Sequence, residues 1–98
     1  MDTIRVGIRF VGTLRGLLGK GGYEADLEKP GTVAALLHAL NVGLGPEFRD
    51  IVFDRDLNDP RPNVLILVNG REIGLLDGIK TVLKEGDVVT ILPVSHGG

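Results

Sequence analysis

The chain has 98 residues, 43% of them apolar, and a formal charge of −2 from 11 basic and 13 acidic side chains. This length and composition predict one folded domain with a single modest core. The basic residues form no run or stripe, so we expect neither a nucleic acid nor an anionic membrane as partner. Cysteine is absent, which excludes disulfides, thiolate metal sites and cysteine nucleophiles. The N-terminus lacks the features of a signal peptide, so we expect a cytoplasmic protein.

The first third of the chain predicts two strands around a short helical turn. Apolar side chains alternate from residue 4 to residue 10, which is typical of a strand with one wet face. Three leucines at helical spacing follow between residues 14 and 18. The run Gly19-Lys20-Gly21-Gly22 then turns the chain. Residues 23–28 alternate again, so we expect the two strands to pair antiparallel.

The middle of the chain predicts the main helix. Thr32 is the expected N-cap, because its hydroxyl can accept from a free amide of the first turn. An apolar stripe with helical spacing follows, and glycines end it at residues 43 and 45. The stripe consists of Val33, Leu36, Leu37 and Leu40. Residues 48–53 form an apolar island for which we expect a short strand, and residues 54–63 read as a polar loop.

The last third predicts three strands. Residues 64–68 are continuously aliphatic, which is typical of a central strand covered on both faces. Asn69-Gly70 is a strong tight-turn dipeptide, and residues 71–73 are expected to return as a short strand. Glu85-Gly86-Asp87 is a further turn, and residues 88–93 form the last strand.

This order of elements predicts the α+β class and the β-grasp (ubiquitin-like) arrangement. One main helix can cover only one face of a mixed sheet of four to five strands. If the last strand lies beside the first, the two run parallel in the centre of the sheet. We expect residues 1–93 to form the domain and residues 94–98 a flexible C-terminal tail.

Three motifs resemble the ubiquitin-like sulfur-carrier family. They are Val68-Asn69-Gly70-Arg71, then Leu83-Lys84-Glu85-Gly86-Asp87-Val88-Val89, and finally Pro93-Val94-Ser95-His96-Gly97-Gly98. Residues 10–20 also match the first strand and helix of that family. It includes the molybdopterin synthase small subunit (MoaD), the thiamine sulfur carrier (ThiS) and the small archaeal modifiers.

The resemblance implies that the Gly98 carboxylate is the reactive group, and that the chain has no catalytic residue, cofactor or metal ion of its own. A ubiquitin-activating-type adenylyltransferase would use ATP and magnesium to form an acyl-adenylate at Gly98. That species would become a thiocarboxylate, for sulfur transfer, or an isopeptide with a target lysine. Gly97 and His96 would be recognised as the tail. His96 in front of the glycines is more like the modifiers, since the bacterial molybdopterin synthase subunit usually ends in Ser-Gly-Gly.

Two other functions are alternatives. One is a dedicated molybdopterin synthase small subunit, bound to the large subunit in molybdenum cofactor biosynthesis. The other is a β-grasp binding module with an inert tail. A metal site is not expected, because the two histidines, His38 and His96, lie far apart and cysteine is absent.

One face of the sheet is a candidate docking surface for the activating enzyme. In the last strand Val88, Thr90 and Leu92 share one side, while Val89 and Ile91 share the other. Both sides are largely apolar, although one helix covers only one of them. We therefore expect Val88 and Leu92 on the open face, with Arg5 and Arg9 at its edge, to contact the partner. The alternative is that residues 48–63 cover this face.

Overall fold

A computed structural model of the protein describes residues 2–19, 21–52 and 64–94. The described elements are strands and helices joined by short turns, including single 3-10 turns at Ile73–Leu75 and Gly78–Lys80. The strands are β1 (Thr3–Phe10), β2 (Gly22–Glu28), β3 (Val64–Val68), β4 (Arg71–Glu72) and β5 (Val88–Pro93), and the helices are α1 (Thr13–Leu18), α2 (Val33–Leu44) and α3 (Pro46–Val52).

The five strands form one mixed sheet in the order β2-β1-β5-β3-β4. β1 pairs antiparallel with β2, and it pairs parallel with β5, where Gly7 lies opposite Val88. β3 pairs antiparallel with both β5 and β4. The expected β-grasp fold is therefore confirmed, including the parallel pair at the centre of the sheet.

Helix α2 packs across one face of this sheet. Its N-cap is Thr32, whose Oγ1 accepts a hydrogen bond of 3.1 Å from the backbone N–H of Ala35. The four residues of the predicted stripe are buried. They pack with the inward side chains of the strands, which include Val6, Ile8, Val89 and Ile91. The predicted helix is thus confirmed together with its cap and its buried side.

The expected strand within residues 48–53 is wrong, because Pro46–Val52 is helical. The helical spacing places Phe48 and Val52 one turn apart, and both side chains are fully buried. The Phe48 ring lies 6.2 Å from the ring of Phe10. Proline also suits the first position of a helix, where its missing N–H costs nothing. The segment therefore packs into the core beside α2 rather than covering the opposite face, while residues 53–63 lie outside the described residues.

Strand β3 is not covered on both faces, contrary to the sequence-based prediction. Val64, Ile66 and Val68 point into the core, whereas Leu65 is 37% exposed and Leu67 is half-buried. The reason is that the described helices lie on one side of the sheet. The other side of β3 is consequently an aliphatic surface in contact with solvent.

Two of the motifs that resemble the sulfur-carrier family contact each other at the start of β5. Asn69 donates from Nδ2 to Oδ1 of Asp87 at 2.9 Å, and its own Oδ1 accepts from the N–H of Val88 at 2.9 Å. Oδ2 of Asp87 accepts from the N–H of Lys84 at 2.8 Å. Asn69 adopts the left-handed conformation, with φ of 49°, which asparagine tolerates better than most residues. These bonds tie the β3–β4 turn to the turn before β5.

Candidate functional site

Strand β5 leads to the expected tail at one end of the sheet. Its last residue, Pro93, pairs with Val64 at the start of β3. Gly12 lies on the other side, where an added Cβ would come within 3.5 Å of the Pro93 ring. The N–H of Val11 donates to the carbonyl of Ile91 at 3.1 Å. The chain therefore leaves β5 at a rim built from the end of β1 and the start of β3, which we call the exit rim.

The predicted tail residues Gly98, Gly97 and His96 lie outside the described residues. Their roles as acyl site and recognition elements stay predictions, as does the boundary between domain and tail at residue 94. Val94 is the last described residue and is 38% exposed.

An aliphatic surface lies on the face of the sheet away from α2, as expected for β5. Val88 is 37% exposed, and Thr90 and Leu92 are half-buried, whereas Val89 and Ile91 are fully buried. The β5–β3 pairing places Leu65 opposite Leu92 and Leu67 opposite Thr90. We call this surface the open-face patch. It consists of Leu65, Leu67, Val88, Thr90 and Leu92.

Sequence reasoning missed Leu65 and Leu67 as members of this patch. Their strand is aliphatic at every position, so its inward and outward residues do not differ in polarity. The sequence held only indirect information about them. Because one main helix cannot cover both faces of the sheet, every second residue of β3 had to face away from that helix.

The two arginines expected beside the patch are in different environments. Both lie on β1, the strand next to β5 in the sheet, and their contact with a partner stays a prediction. Arg5 donates from Nε to Oδ1 of Asp26 at 3.0 Å. This bond and the charge of Asp26, helped by Glu24, raise the pKa of Arg5. Arg9 lies opposite Thr90 of the patch in the strand register.

Two of the hollows on the described surface lie at opposite ends of β1. One, of about 480 Å³, lies at the start of β1 and is lined largely by apolar residues, among them Ile4, Pro30 and Val82. The other, of about 470 Å³, lies at the exit rim. Its lining residues are Gly12, Arg15, Gly16, Gly19 and Gly21. The sequence reasoning assigned no role to either hollow.

Within residues 2–19, 21–52 and 64–94, no three acidic or histidine side chains come together in a way that could hold a metal ion. Over the same part of the chain, no helix has both the length and the apolar character needed to cross a membrane.

Comparison with known proteins gives one family and several full-length relatives. The model of the ThiS family matches residues 8–98. The chain is 31% identical over 91 residues to small archaeal modifier protein 3 of Haloferax volcanii, covering 93% of this chain and 96% of that protein. It is 35% identical over 81 residues to a putative sulfur carrier protein of Archaeoglobus fulgidus, covering 83% and 89%.

The fold has solved counterparts as well. The solution structure of small archaeal modifier protein 1 from Methanosarcina acetivorans superimposes with a TM-score of 0.80 at 26% identity, over 100% of both chains. The β-grasp topology described above is thus shared with a protein modifier.

Proposed function

Because the chain belongs to the ThiS family of ubiquitin-like sulfur carriers and modifiers, we propose that its Gly98 carboxylate is the group that a partner enzyme activates. The protein itself is a non-catalytic carrier or modifier. The observation that carries the proposal is the position of the exit rim. The chain leaves β5 there beside a solvent-exposed aliphatic patch, so a partner that takes the tail can also bind the body of the domain.

The chemistry follows from the weakness of a carboxylate as an acyl donor. A Gly98 carboxylate oxygen attacks the α-phosphorus of ATP in the partner's site, and magnesium pyrophosphate leaves. A hydrosulfide nucleophile then displaces AMP to give a thiocarboxylate, or a lysine amine displaces AMP to give an isopeptide. The partner supplies positioning and charge stabilisation for both steps. The carrier supplies the acyl group, which is why it needs no catalytic residue, bound cofactor or metal ion of its own.

The two terminal glycines suit this use. A Cβ at Gly97 or Gly98 would restrict φ and thicken the segment that enters a closed active site. Five residues from Val94 onward can reach at most roughly 17 Å. The domain can therefore stay at the mouth of the cleft while its end is activated inside. The proposed role of His96, just before the glycines, is contact with the cleft wall.

The open-face patch is the proposed docking surface for the activating enzyme. Exposed aliphatic side chains on paired strands add little to the stability of the free domain. When a partner covers them, however, the burial of their apolar surface favours binding. The aliphatic part of this surface consists of Leu65, Leu67, Val88 and Leu92, and Arg9 lies beside it. Arg5 is less available for a partner, since Asp26 already binds its guanidinium.

Intact-mass analysis tests the function directly. The chain is incubated with an activating enzyme, ATP, magnesium and sulfide, and the enzyme's activity is verified on its own carrier. Replacement of one oxygen by sulfur at Gly98 supports a sulfur carrier, and lysine-linked adducts support a modifier. Stable co-purification with a molybdopterin synthase large subunit would instead favour the dedicated subunit. An unchanged mass with an active enzyme overturns the proposal and leaves a binding module with an inert tail.

Two variants sharpen this test. Deletion of Gly98 should abolish both products without lowering the melting temperature.

Leu65→Glu should weaken binding to the activating enzyme by introducing a charge into the patch. Leu75→Glu is its control, because Leu75 is 81% exposed and lies on a 3-10 turn outside the patch. Equal affinity of the two glutamate variants would place docking on another surface.

A further inference from the structure

The basic residues near the start of the chain stand apart from the acidic ones. From residue 3 to residue 23 there are four basic side chains and no aspartate or glutamate, so the rest of the chain carries the whole acidic excess. The four are Arg5, Arg9, Arg15 and Lys20. This segment comprises β1, α1 and the turn into β2, and the end of β1 belongs to the exit rim. Of these four, Arg15 lines the hollow at the exit rim.

Arg15 lies over glycine backbone in the hollow at the exit rim. Its Nε is 3.0 Å from the position that a Cβ on Gly21 would occupy. Within residues 2–19, 21–52 and 64–94, the other residues that line this hollow are glycines, and they leave space around the guanidinium. Among the described residues, Arg15 makes no ion pair. An accessible guanidinium without an internal partner can bind an anion from outside.

The hollow lies beside the end of β5. Gly12 lines the hollow and also lies next to Pro93, the last residue of β5. Gly21 also lines the hollow. The next residue, Gly22, pairs with Arg9 in the β1–β2 register. Arg9 in turn neighbours Thr90 of the open-face patch. A partner bound to the patch and the tail would therefore also meet the hollow.

We propose that this hollow accepts an acidic side chain of the activating enzyme, and that Arg15 is the residue that pairs with it. The inference deepens the proposed function and rests on it. Arginine presents a planar fork of donors that matches a carboxylate in two parallel hydrogen bonds. The described glycines of the lining carry no side chain that would have to move aside for such a carboxylate.

A carboxylate of the partner suits this position better than a phosphate of its nucleotide. The reaction takes place at Gly98, up to roughly 17 Å along the tail from the exit rim. The nucleotide must lie at Gly98 during adenylation, whereas Arg15 lies at the rim where the tail begins. The anion that meets Arg15 is therefore expected on the protein surface around the mouth of the active site.

Steady-state kinetics of activation test the proposal. Pyrophosphate release is measured against carrier concentration for the wild-type chain and for Arg15→Ala, Arg15→Lys and Arg15→Glu. Loss of one solvent-exposed ion pair at an interface rim should raise KM about two- to fivefold for Arg15→Ala and leave kcat unchanged. Arg15→Glu should raise KM further, and Arg15→Lys should restore part of the affinity because it keeps the charge but not the fork. The KM of the wild type should rise with salt more steeply than that of Arg15→Ala.

Arg71→Ala is the matched control, since Arg71 is an exposed arginine on β4 at the sheet edge away from β1. If Arg15→Ala and Arg71→Ala have the same KM while the wild type is activated, the inference is wrong and the proposed function stands. A loss of kcat without a change in KM also contradicts a docking role. Binding of ATP to the free chain that requires Arg15 would assign the hollow to phosphate and overturn the proposal. A wild type that no activating enzyme adenylates defeats both. Melting curves of all variants establish that each is folded.

Discussion

The substitution Asp87→Ala removes the carboxylate that joins two turns next to β5. This carboxylate accepts from Asn69 Nδ2 at 2.9 Å and from the Lys84 N–H at 2.8 Å. Both bonds lie near the surface, where a net contribution of about 1 kcal/mol each is reasonable. The variant should therefore lose about 2 kcal/mol of unfolding free energy. For a domain of this size, that corresponds to a fall of about 10 °C in Tm.

Urea denaturation followed by circular dichroism measures this loss. Asp87→Asn keeps an acceptor for one bond and should cost about half as much as Asp87→Ala. Asn69→Gly removes the amide without straining the positive φ at that position. The cycle of Asn69→Gly with Asp87→Ala should give a coupling of about 1 kcal/mol. Asp77→Ala is the control, because Asp77 is an exposed aspartate away from these two turns. Equal losses for Asp87→Ala and Asp77→Ala, together with an additive cycle, would refute the reasoning.

Three other substitutions test the packing by urea denaturation. Gly31→Ala should cost about 1–3 kcal/mol, because the new Cβ would lie 3.0 Å from Leu27 Cβ in a buried position; an unchanged midpoint would mean that Leu27 yields without cost. Phe48→Ala should cost about 3–5 kcal/mol, since α3 places this ring fully in the core; a loss below about 1 kcal/mol would contradict that placement. Thr32→Ala should cost about 1 kcal/mol through loss of the cap on the Ala35 amide, whereas Thr32→Ser should retain most of that stability.

The elements with a clear periodicity could be predicted from the sequence. In α2 the stripe and the Thr32 cap indicate the same start, and Gly45 closes the helix with its N–H bonded to the Asn41 carbonyl. In β1 the alternation also identifies the buried face. Local propensity and tertiary packing agree in these segments, and such agreement makes a prediction secure.

The two wrong predictions have a common physical cause. An apolar island as short as residues 48–53 contains too few positions to separate a period of 2 from one of 3.6. Strand β3 is aliphatic throughout, so its composition does not reveal which side chains meet solvent. In both segments the outcome depends on which layer lies opposite, a long-range property that the local pattern does not contain.

The candidate site likewise has a part that the sequence predicts and a part that it does not. The role of Gly98 follows from the resemblance of the motifs and stays a prediction about residues that the structure does not describe. The hollow at the exit rim could not be predicted. Its glycines at positions 12, 16, 19 and 21 follow no single period, and they meet only because α1 turns back between β1 and β2. In the sequence Arg15 is one of several scattered basic residues, and only the fold places it in a hollow whose Gly12 lies beside Pro93.

Under the proposed function, the contacts around the exit rim are suited to a carrier that must leave its partner after activation. Tight binding through the domain would lengthen the residence time and slow turnover. The open-face patch offers a modest aliphatic surface, and Arg15 offers one charge at a solvent-accessible position. A rim charge acts mainly on the association rate and the salt dependence, so it favours encounter more than it delays release.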